Sequence, residues 1–259
     1  MDNRWLNFES IANARDLGGL KTLEGHTITS GLLLRSANLA NASRGDMETL
    51  QREYRLSKII DLRTATEREE RPDASIPGVA VRHIPVFSEQ LAGISHEKGT
   101  DASQLQKLIP KLDGLYRLMV TNESCRRSLG LAAACVMEHD FTSGSVLWHC
   151  TEGKDRCGLL TVILLSALCV DRQQIREDYL LTNEVNRPKA ETYYKQVLAA
   201  GRPANEAEMV RDVFLARESY LDAAFSAIDE HYPDMDSFLL DGLYIPEGAI
   251  EKFRMSILH

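Results

Sequence analysis

Two residues six positions apart, Cys150 and Arg156, are those best suited in this sequence to chemistry on a phosphoester. A cysteine reacts as its thiolate, although a free thiol is mostly protonated at neutral pH. The planar guanidinium of an arginine binds two phosphate oxygens at once and stabilises the charge of the transition state. The spacing predicts a loop that curls until Arg156 faces the sulfur of Cys150, which would then act as the nucleophile.

The residues around this pair form the string His149-Cys150-Thr151-Glu152-Gly153-Lys154-Asp155-Arg156-Cys157-Gly158. An apolar strand is predicted before it and a buried apolar helix after it. A loop in that setting turns its backbone N–H groups inward at a helix N-terminus, and both features bind anions. We expect them to lower the pKa of the Cys150 thiol.

The other residues of the string have expected parts in substrate binding. Gly153 permits a backbone conformation that other residues resist, so that the loop closes tightly. His149 is expected to hydrogen-bond loop carbonyls, and Lys154 to add a second positive charge at the rim. The full set of expected substrate-binding residues is His149, Thr151, Glu152, Gly153, Lys154, Cys157 and Gly158. A purely structural cysteine is the alternative, but the spacing of Cys, Gly and Arg between strand and helix disfavours it.

Strands that alternate with helices must position this loop. Strands are predicted at Leu32–Ser36, Lys58–Leu62, Val79–Pro85 and Ser145–Trp148. Helices are predicted at about 45–54, 112–120, 123–139, 157–169, 172–182, 187–200, 205–231 and 247–258. This order predicts an α/β fold with a mostly parallel central sheet flanked by helices. We expect Ser88–Gln104 to be a mobile surface loop and Glu67–Arg71 to be a solvated helix face.

Composition excludes several classes of protein. The 259 residues carry a formal net charge of −8, and no basic face that would bind nucleic acid is visible. The longest apolar run, Leu159–Val170, is too short to span a bilayer. Five cysteines without framework spacing argue against a disulfide scaffold. The N-terminus lacks an apolar stretch of signal-peptide length, so we expect a cytoplasmic protein, with export by a route without a cleaved signal left open.

The string HCTEGKDRCG resembles the signature loop of protein tyrosine phosphatases. It is most similar to the atypical bacterial and fungal branch, whose loop follows the pattern HCxxGKDR. Four further segments resemble that branch: Asn13–Gly19, Leu34–Ala37, Asp61–Arg63 and Asp178–Asn183. The resemblance runs from about residue 7 to the C-terminus. It implies one phosphatase domain over residues 1–259, a phosphocysteine intermediate and no metal cofactor, with a helical extension or lid at about 184–259.

The general acid that protonates the leaving oxygen has two candidates, because this chain lacks the Trp-Pro-Asp loop of many tyrosine phosphatases. Asp155 is the first candidate, and the resemblance supports it because the atypical branch carries Asp there. Asp61, at the end of a predicted strand, is the second. Structural alternatives exist for both: Asp155 would bond loop amides, and Asp61 would pair with an arginine. The arginines considered for Asp61 are Arg15, Arg35 and Arg63.

Cys157 departs from the family pattern, which usually has Thr or Ser after the arginine. That hydroxyl is thought to stabilise the departing thiolate when the intermediate is hydrolysed. A thiol is a weaker donor, so turnover would be slowed. Two alternatives are a redox role, in which Cys157 traps oxidised Cys150 as a disulfide, and simple packing at the helix start.

The sequence therefore predicts a cysteine-dependent phosphatase that acts on phosphotyrosine and other phosphoesters. The expected partner is a phosphorylated protein or a phosphoinositide, without nucleic acid and without stable membrane insertion; the oligomeric state is not predicted. A phosphoinositide or inositol-polyphosphate phosphatase is the alternative enzyme, favoured by Lys154 and disfavoured by the neighbouring Glu152. A non-catalytic phosphate-binding module is the alternative from a different class.

Overall fold

A five-stranded, mostly parallel sheet forms the centre of the molecule, as predicted. The computed structural model describes residues 4–89 and 112–259. The strands are β1 (Arg15–Asp16), β2 (Leu33–Ser36), β3 (Leu56–Asp61), β4 (Ala80–His83) and β5 (Ser145–His149). Their order across the sheet is β1-β2-β5-β3-β4. Only the β1–β2 pair is antiparallel among these strands.

Ten α-helices flank the sheet in the described residues. They are α1 (Arg44–Arg52), α2 (Ala65–Glu70), α3 (Leu112–Thr121), α4 (Glu123–Met137), α5 (Asp155–Ala167), α6 (Arg172–Ala199), α7 (Ala204–Phe214), α8 (Glu218–His231), α9 (Met235–Ser237) and α10 (Glu247–Ile257). A π-helical turn, Phe238–Gly242, follows α9 directly. Within the described ranges, no helix is both long enough and apolar enough to cross a bilayer.

The central strand β5 determines where the core and the loop after it lie. All five of its residues are buried, and their side chains alternate between two faces. Val146 and Trp148 enter the larger apolar core, which the C-terminal helices cover, whereas Leu147 enters a smaller core with Leu34 and Leu50. In register, His149 lies beside Ser36 on β2 and Asp61 on β3. The carboxyl ends of three parallel strands therefore meet at one edge of the sheet.

Helix α5 begins where the loop after β5 ends. Every residue from Asp155 to Ala167 is buried except Ser166, which agrees with the buried helix expected from the apolar run. A helix that is apolar on all sides is one enclosed by other elements. Its N-terminus therefore lies at the same edge of the sheet, inside the protein.

Several element boundaries differ from the sequence predictions. The two helices predicted at 172–182 and 187–200 are one helix, α6, with Pro188 inside it. The helix predicted at 205–231 is interrupted at Leu215–Arg217 to give α7 and α8. The short strand β1 has no counterpart among the strands predicted from the sequence. The loop predicted at Ser88–Gln104 falls outside the described residues after Glu89.

Candidate active site

A tight loop, Cys150–Arg156, connects β5 to α5, and we call it the cysteine loop. Cys150 follows the last residue of β5 and is completely buried. Gly153 has φ +67°, the left-handed conformation that glycine adopts without strain. A Cβ at this position would lie only 2.5 Å from the carbonyl oxygen of Ser36. The close approach of two backbones therefore requires glycine here, as the sequence predicted.

Side chains outside the cysteine loop hold its carbonyl groups. Arg35 Nη2 donates to the Gly153 carbonyl at 2.8 Å. Asn13 Nδ2 donates to the carbonyls of Glu152 and Gly153, at 2.9 and 3.1 Å. Asn38 Nδ2 donates to the Thr151 carbonyl at 2.8 Å. Donors that hold the carbonyls in this way suit a loop that directs its N–H groups towards an anion.

A buried ionic cluster fixes two of these donors. Asp178 on α6 accepts hydrogen bonds from Arg35 at 2.8 Å and from Arg4 at 2.8 Å, and Arg15 lies 3.4 Å from it. Burial alone would raise the pKa of the Asp178 carboxyl, but the arginines outweigh it and hold this pKa well below its usual range. Arg15 also donates to the side-chain oxygen of Asn13. The segments Asn13–Gly19, Leu34–Ala37 and Asp178–Asn183 thus meet behind the loop.

Arg156 binds a carboxylate with both terminal nitrogens. Its Nη1 and Nη2 lie 2.8 Å from the two carboxylate oxygens of Glu67, and Thr151 donates its hydroxyl to Glu67 at 2.7 Å. Burial pushes the pKa of Glu67 upward, yet the charge and hydrogen bonds of Arg156 lower it to about 2. The prediction of a solvated helix face at Glu67–Arg71 is thus wrong for Glu67, which is buried. As the third residue of α2, it closes a capping box with Thr64 and turns inward.

The pKa of Cys150 does not follow the sequence expectation. Burial raises the pKa of its thiol, and the neighbouring Cys157 and the carboxylates of Asp155 and Glu67 add to the rise. The backbone N–H of Cys157, at the start of α5, acts in the expected direction but is outweighed. The expected lowering is therefore wrong for this arrangement, because Cys150 is fully buried and Arg156 is bound to Glu67.

His149 and Asp61 lie together beneath the cysteine loop. His149 Nδ1 lies 3.2 Å from the Cys150 carbonyl, in line with the expected contact to the loop, and its Nε2 lies 3.1 Å from Asp73. Both oxygens of Asp61 accept hydrogen bonds from Arg63 at 2.9 Å, and Arg68 Nε lies 3.2 Å away. The structure thus shows Asp61 in the arginine pair that was the alternative to an acid role.

The carboxyls of Asp61 and Asp73 and the imidazole of His149 offer ligand atoms within 4.8 Å of one another. Arg63 Nη2 also lies 2.7 Å from Asp73, so an arginine already neutralises both carboxylates. The burial and geometry of this group are therefore explained by ion pairing.

Asp155 is the first residue of α5 and is buried. Its Oδ1 accepts a hydrogen bond from the Tyr116 hydroxyl at 2.5 Å. The ammonium of Lys154 lies 3.5 Å from the same oxygen. Tyr116, on α3, was not recognised from the sequence, because a tyrosine on an apolar helix face gives no sign of which residue it will contact.

Lys154 does not lie at a solvated rim. Its side chain is buried, and its Nζ donates to the carbonyl of Val213 at 2.5 Å and lies 3.4 Å from that of Leu215. Burial lowers the pKa of this ammonium. The expectation of an exposed cation is wrong, because the connection between α7 and α8 covers Lys154. On the outer side of the loop, Glu152 pairs with Lys189 of α6 at 2.5 Å.

Cys157 is fully buried beside the loop. Its Sγ lies 3.6 Å from the Trp148 carbonyl and 3.9 Å from that of Ser36. Burial raises the pKa of this thiol, while Arg35 opposes the rise. Gly158 follows, and a Cβ there would lie 3.1 Å from the ring of Tyr179. The kinetic and redox roles considered for Cys157 stay predictions.

Comparison with known proteins agrees with the geometry. The model of the tyrosine phosphatase family matches residues 6–259. A protein of Cupriavidus necator named "Putative tyrosine-protein phosphatase" is 30% identical over 246 residues, which cover 93% of this chain and 84% of the relative. The "Triple specificity protein phosphatase PtpB" of Mycobacterium tuberculosis is 24% identical over 275 residues, or 95% of this chain and 96% of the relative.

A mostly parallel sheet with a cysteine loop at the carboxyl end of its central strand places the chain in the class of α/β folds of the tyrosine phosphatase type. The chain belongs to the tyrosine phosphatase family. It is accordingly a hydrolase of phosphoric monoesters, and its substrates are phosphorylated molecules.

Proposed function

We propose that this phosphatase hydrolyses phosphotyrosine, and other phosphoesters as well, through a phosphocysteine intermediate on Cys150. The observation that carries the proposal is the arginine of the cysteine loop. Arg156 lies in the first turn of α5 and already binds a planar oxyanion, the Glu67 carboxylate, through two parallel hydrogen bonds. The same geometry suits two oxygens of a phosphate.

In this mechanism Cys150 attacks phosphorus and the loop N–H groups bind the equatorial oxygens. Glu67 holds the Nη1–Nη2 edge of Arg156, so we propose that the phosphate binds along the edge formed by Nε and one Nη. Glu67 would then orient the guanidinium rather than compete with substrate. The Cys150 proton would pass to an oxygen of the bound phosphoester dianion as the sulfur attacks, because burial disfavours the free thiolate.

We assign the general acid to Asp155 rather than Asp61. Asp155 lies on the cysteine loop itself and interacts with Cys150 strongly enough to affect the pKa of its thiol. Both oxygens of Asp61 are bound by Arg63, which suits an ionised, structural carboxylate. The leaving oxygen would take its proton from Asp155, and water would return one during hydrolysis of the phosphocysteine.

The helical extension belongs to the same proposed domain. Lys154 of the cysteine loop donates to the carbonyl of Val213 in the last turn of α7, and Glu152 pairs with Lys189 on α6. These contacts support one phosphatase domain over residues 1–259, with the extension at about 184–259 covering the loop. Because Lys154 is buried, it is not an exposed cation that would attract a polyanionic inositol phosphate. Phosphotyrosine therefore remains the first proposed substrate.

Replacement of the nucleophile tests the mechanism. We expect Cys150→Ser to abolish phosphate release from phosphotyrosine peptides, because an alcohol at this position is a far poorer nucleophile than a thiolate. Rapid acid quench with 32P-labelled substrate should trap a phosphoenzyme in the wild type and none in the variant. Cys125→Ser, at a buried cysteine of α4, is the matched control and should keep its activity.

Substantial turnover by Cys150→Ser would refute the phosphocysteine mechanism. A panel of phosphoserine, phosphothreonine and phosphoinositide substrates should accompany the assay, because one relative is named a triple specificity phosphatase. Binding of phosphopeptide without release of phosphate from any substrate would favour the non-catalytic module instead.

A further inference from the structure

Three buried polar groups form a hydrogen-bonded line that ends at Asp155. The Tyr179 hydroxyl lies 2.6 Å from the Tyr116 hydroxyl, which lies 2.5 Å from Asp155 Oδ1. Tyr116 comes from α3 and Tyr179 from α6, so neither belongs to the cysteine loop. Both side chains are essentially inaccessible to solvent. Tyr116 donates its one hydroxyl proton to Asp155, so Tyr179 must donate to Tyr116.

We propose that Tyr116, supported by Tyr179, is a positioning residue that orients the Asp155 carboxyl and stabilises its ionised form. The inference deepens the proposed function and rests on the role of Asp155 as general acid. When the bond between phosphorus and the leaving oxygen breaks, the proton of Asp155 moves to that oxygen. The carboxylate left behind accepts the Tyr116 hydrogen bond, and both phenol protons stay in place.

The protonation state of the Tyr116 and Tyr179 hydroxyls supports their role as hydrogen-bond donors towards Asp155. Burial raises the pKa of both Tyr116 and Tyr179 well above the ordinary range, and the charge of Asp155 adds to the rise. Both hydroxyls are therefore protonated donors throughout the range in which the enzyme would work. In a buried site, a hydrogen bond to a charged group stabilises that group more than a hydrogen bond between neutral groups would.

Other titratable groups also face Asp155. They include Lys154 and Cys150 of the cysteine loop, Tyr116 of α3, Tyr179 of α6 and Tyr220 of α8. The Tyr220 ring stacks on Tyr116 with centroids 5.5 Å apart. Its hydroxyl donates instead to the Asp212 carbonyl at 3.3 Å. Tyr220 is thus a matched control: it packs in the same aromatic group without joining the line.

Tyr116→Phe tests the proposal because it keeps the ring and removes the donor. We expect kcat for a phosphotyrosine peptide to fall about tenfold. The tyrosine phenoxide that leaves needs a proton, and Asp155 would deliver it less well without the Tyr116 hydrogen bond. For 4-nitrophenyl phosphate, whose leaving group needs little protonation, kcat should fall less than about threefold. The alkaline limb of the kcat–pH profile should move up by about one pH unit, because loss of the donor favours the protonated carboxyl.

Two further variants complete the test. Tyr179→Phe should move kcat and the alkaline limb in the same direction by a smaller amount, and Tyr220→Phe should leave both near wild type. Tyr179→Phe also replaces Tyr116→Phe as the test if the latter does not fold. Equal losses on both substrates with an unmoved alkaline limb would overturn the inference. An inactive wild-type enzyme would instead refute the proposed function.

Discussion

At the scale of single residues, Arg156 and Glu67 form the buried ion pair on which the proposed phosphate site is built. Glu67 is bound by both terminal nitrogens of Arg156 and by the Thr151 hydroxyl. Three hydrogen bonds from two residues of the loop fix the carboxylate, and the carboxylate in turn fixes the plane of the guanidinium. A phosphate would then meet an arginine that does not have to reorient, which lowers the free-energy cost of binding.

Arg156→Lys tests this geometry. Lysine keeps the positive charge but loses the planar arrangement of donors, so it cannot bind Glu67 and a phosphate at once. We expect kcat for a phosphotyrosine peptide to fall by roughly two orders of magnitude or more. Steady-state kinetics on the purified variant would measure it.

Arg172→Lys is the matched control for this substitution. Arg172 binds both oxygens of Asp229, at 3.3 and 3.1 Å, in an exposed pair between α6 and α8. The control should retain wild-type kinetics. A near-normal rate for Arg156→Lys would show that the guanidinium does not bind the transferred phosphoryl group.

At the scale of secondary-structure elements, the site is a strand, a loop and a helix pressed against neighbouring backbone. The cysteine loop passes so close to the end of β2 that the position of Gly153 admits no Cβ. Arg35 extends from β2 to the Gly153 carbonyl on one side and to Asp178 on α6 on the other. The loop geometry therefore depends on β2 and α6 as much as on its own residues.

Gly153→Ala should disrupt this arrangement. Its Cβ would lie 2.5 Å from the Ser36 carbonyl oxygen, and its φ of +67° is unfavourable for alanine. We expect a loss of stability of about 1–3 kcal/mol in chemical denaturation and at least a tenfold loss of kcat, because the N–H groups of the loop would move.

Gly201→Ala separates the two effects. Gly201 has φ +73°, but a Cβ at this position would meet nothing within 4 Å, so the substitution carries the conformational cost without the close contact. This control should lose about 1–2 kcal/mol of stability and keep full activity. Wild-type activity in Gly153→Ala would mean that the loop tolerates displacement and that its described conformation is not needed for catalysis.

At the scale of the whole molecule, buried charges join the N-terminal segment to the C-terminal helices. Asp178 on α6 binds arginines at positions 4, 15 and 35, and Glu67 on α2 binds Arg156 at the start of α5. The pKa values of both carboxyls lie below their ordinary values in the folded protein. Folding is therefore linked to proton binding.

The contribution of Glu67 to stability should be visible as a pH dependence. Its pKa falls from 4.5 to about 2 on folding, so its stabilising effect is fully present above pH 4.5 and is lost as the pH falls towards 2. The difference corresponds to about 3 kcal/mol. The free energy of unfolding of Glu67→Gln should therefore be lower than that of the wild type by about this amount at pH 7.

The two proteins should converge as acid protonates Glu67 in the wild type. Urea denaturation at several pH values between 7 and 2 would measure the difference. Glu69→Gln, at an exposed residue of the same helix α2, serves as the control and should follow the wild-type curve. A difference that stays constant with pH would show that Glu67 is not ionised and paired in the folded protein.

The cysteine loop and its setting were determined by local sequence. The apolar residues before and after it specify a buried strand and a buried helix, and the spacing of Cys150, Gly153 and Arg156 specifies the loop. The capping residue Ser43 likewise marks the start of α1. Such features depend on residues close together in the chain, where propensity and periodicity act directly.

Long-range packing decided the rest. Nothing local shows that Glu67 turns inward to Arg156, that Lys154 is covered by the α7–α8 connection, or that Tyr116 contacts Asp155. Pro188 should interrupt a helix by its own chemistry, yet Ala190 and Val197 beyond it are buried and α6 continues. Partners far apart in sequence are chosen by the tertiary fold, because burial makes an unpaired charge or polar group too costly to leave alone.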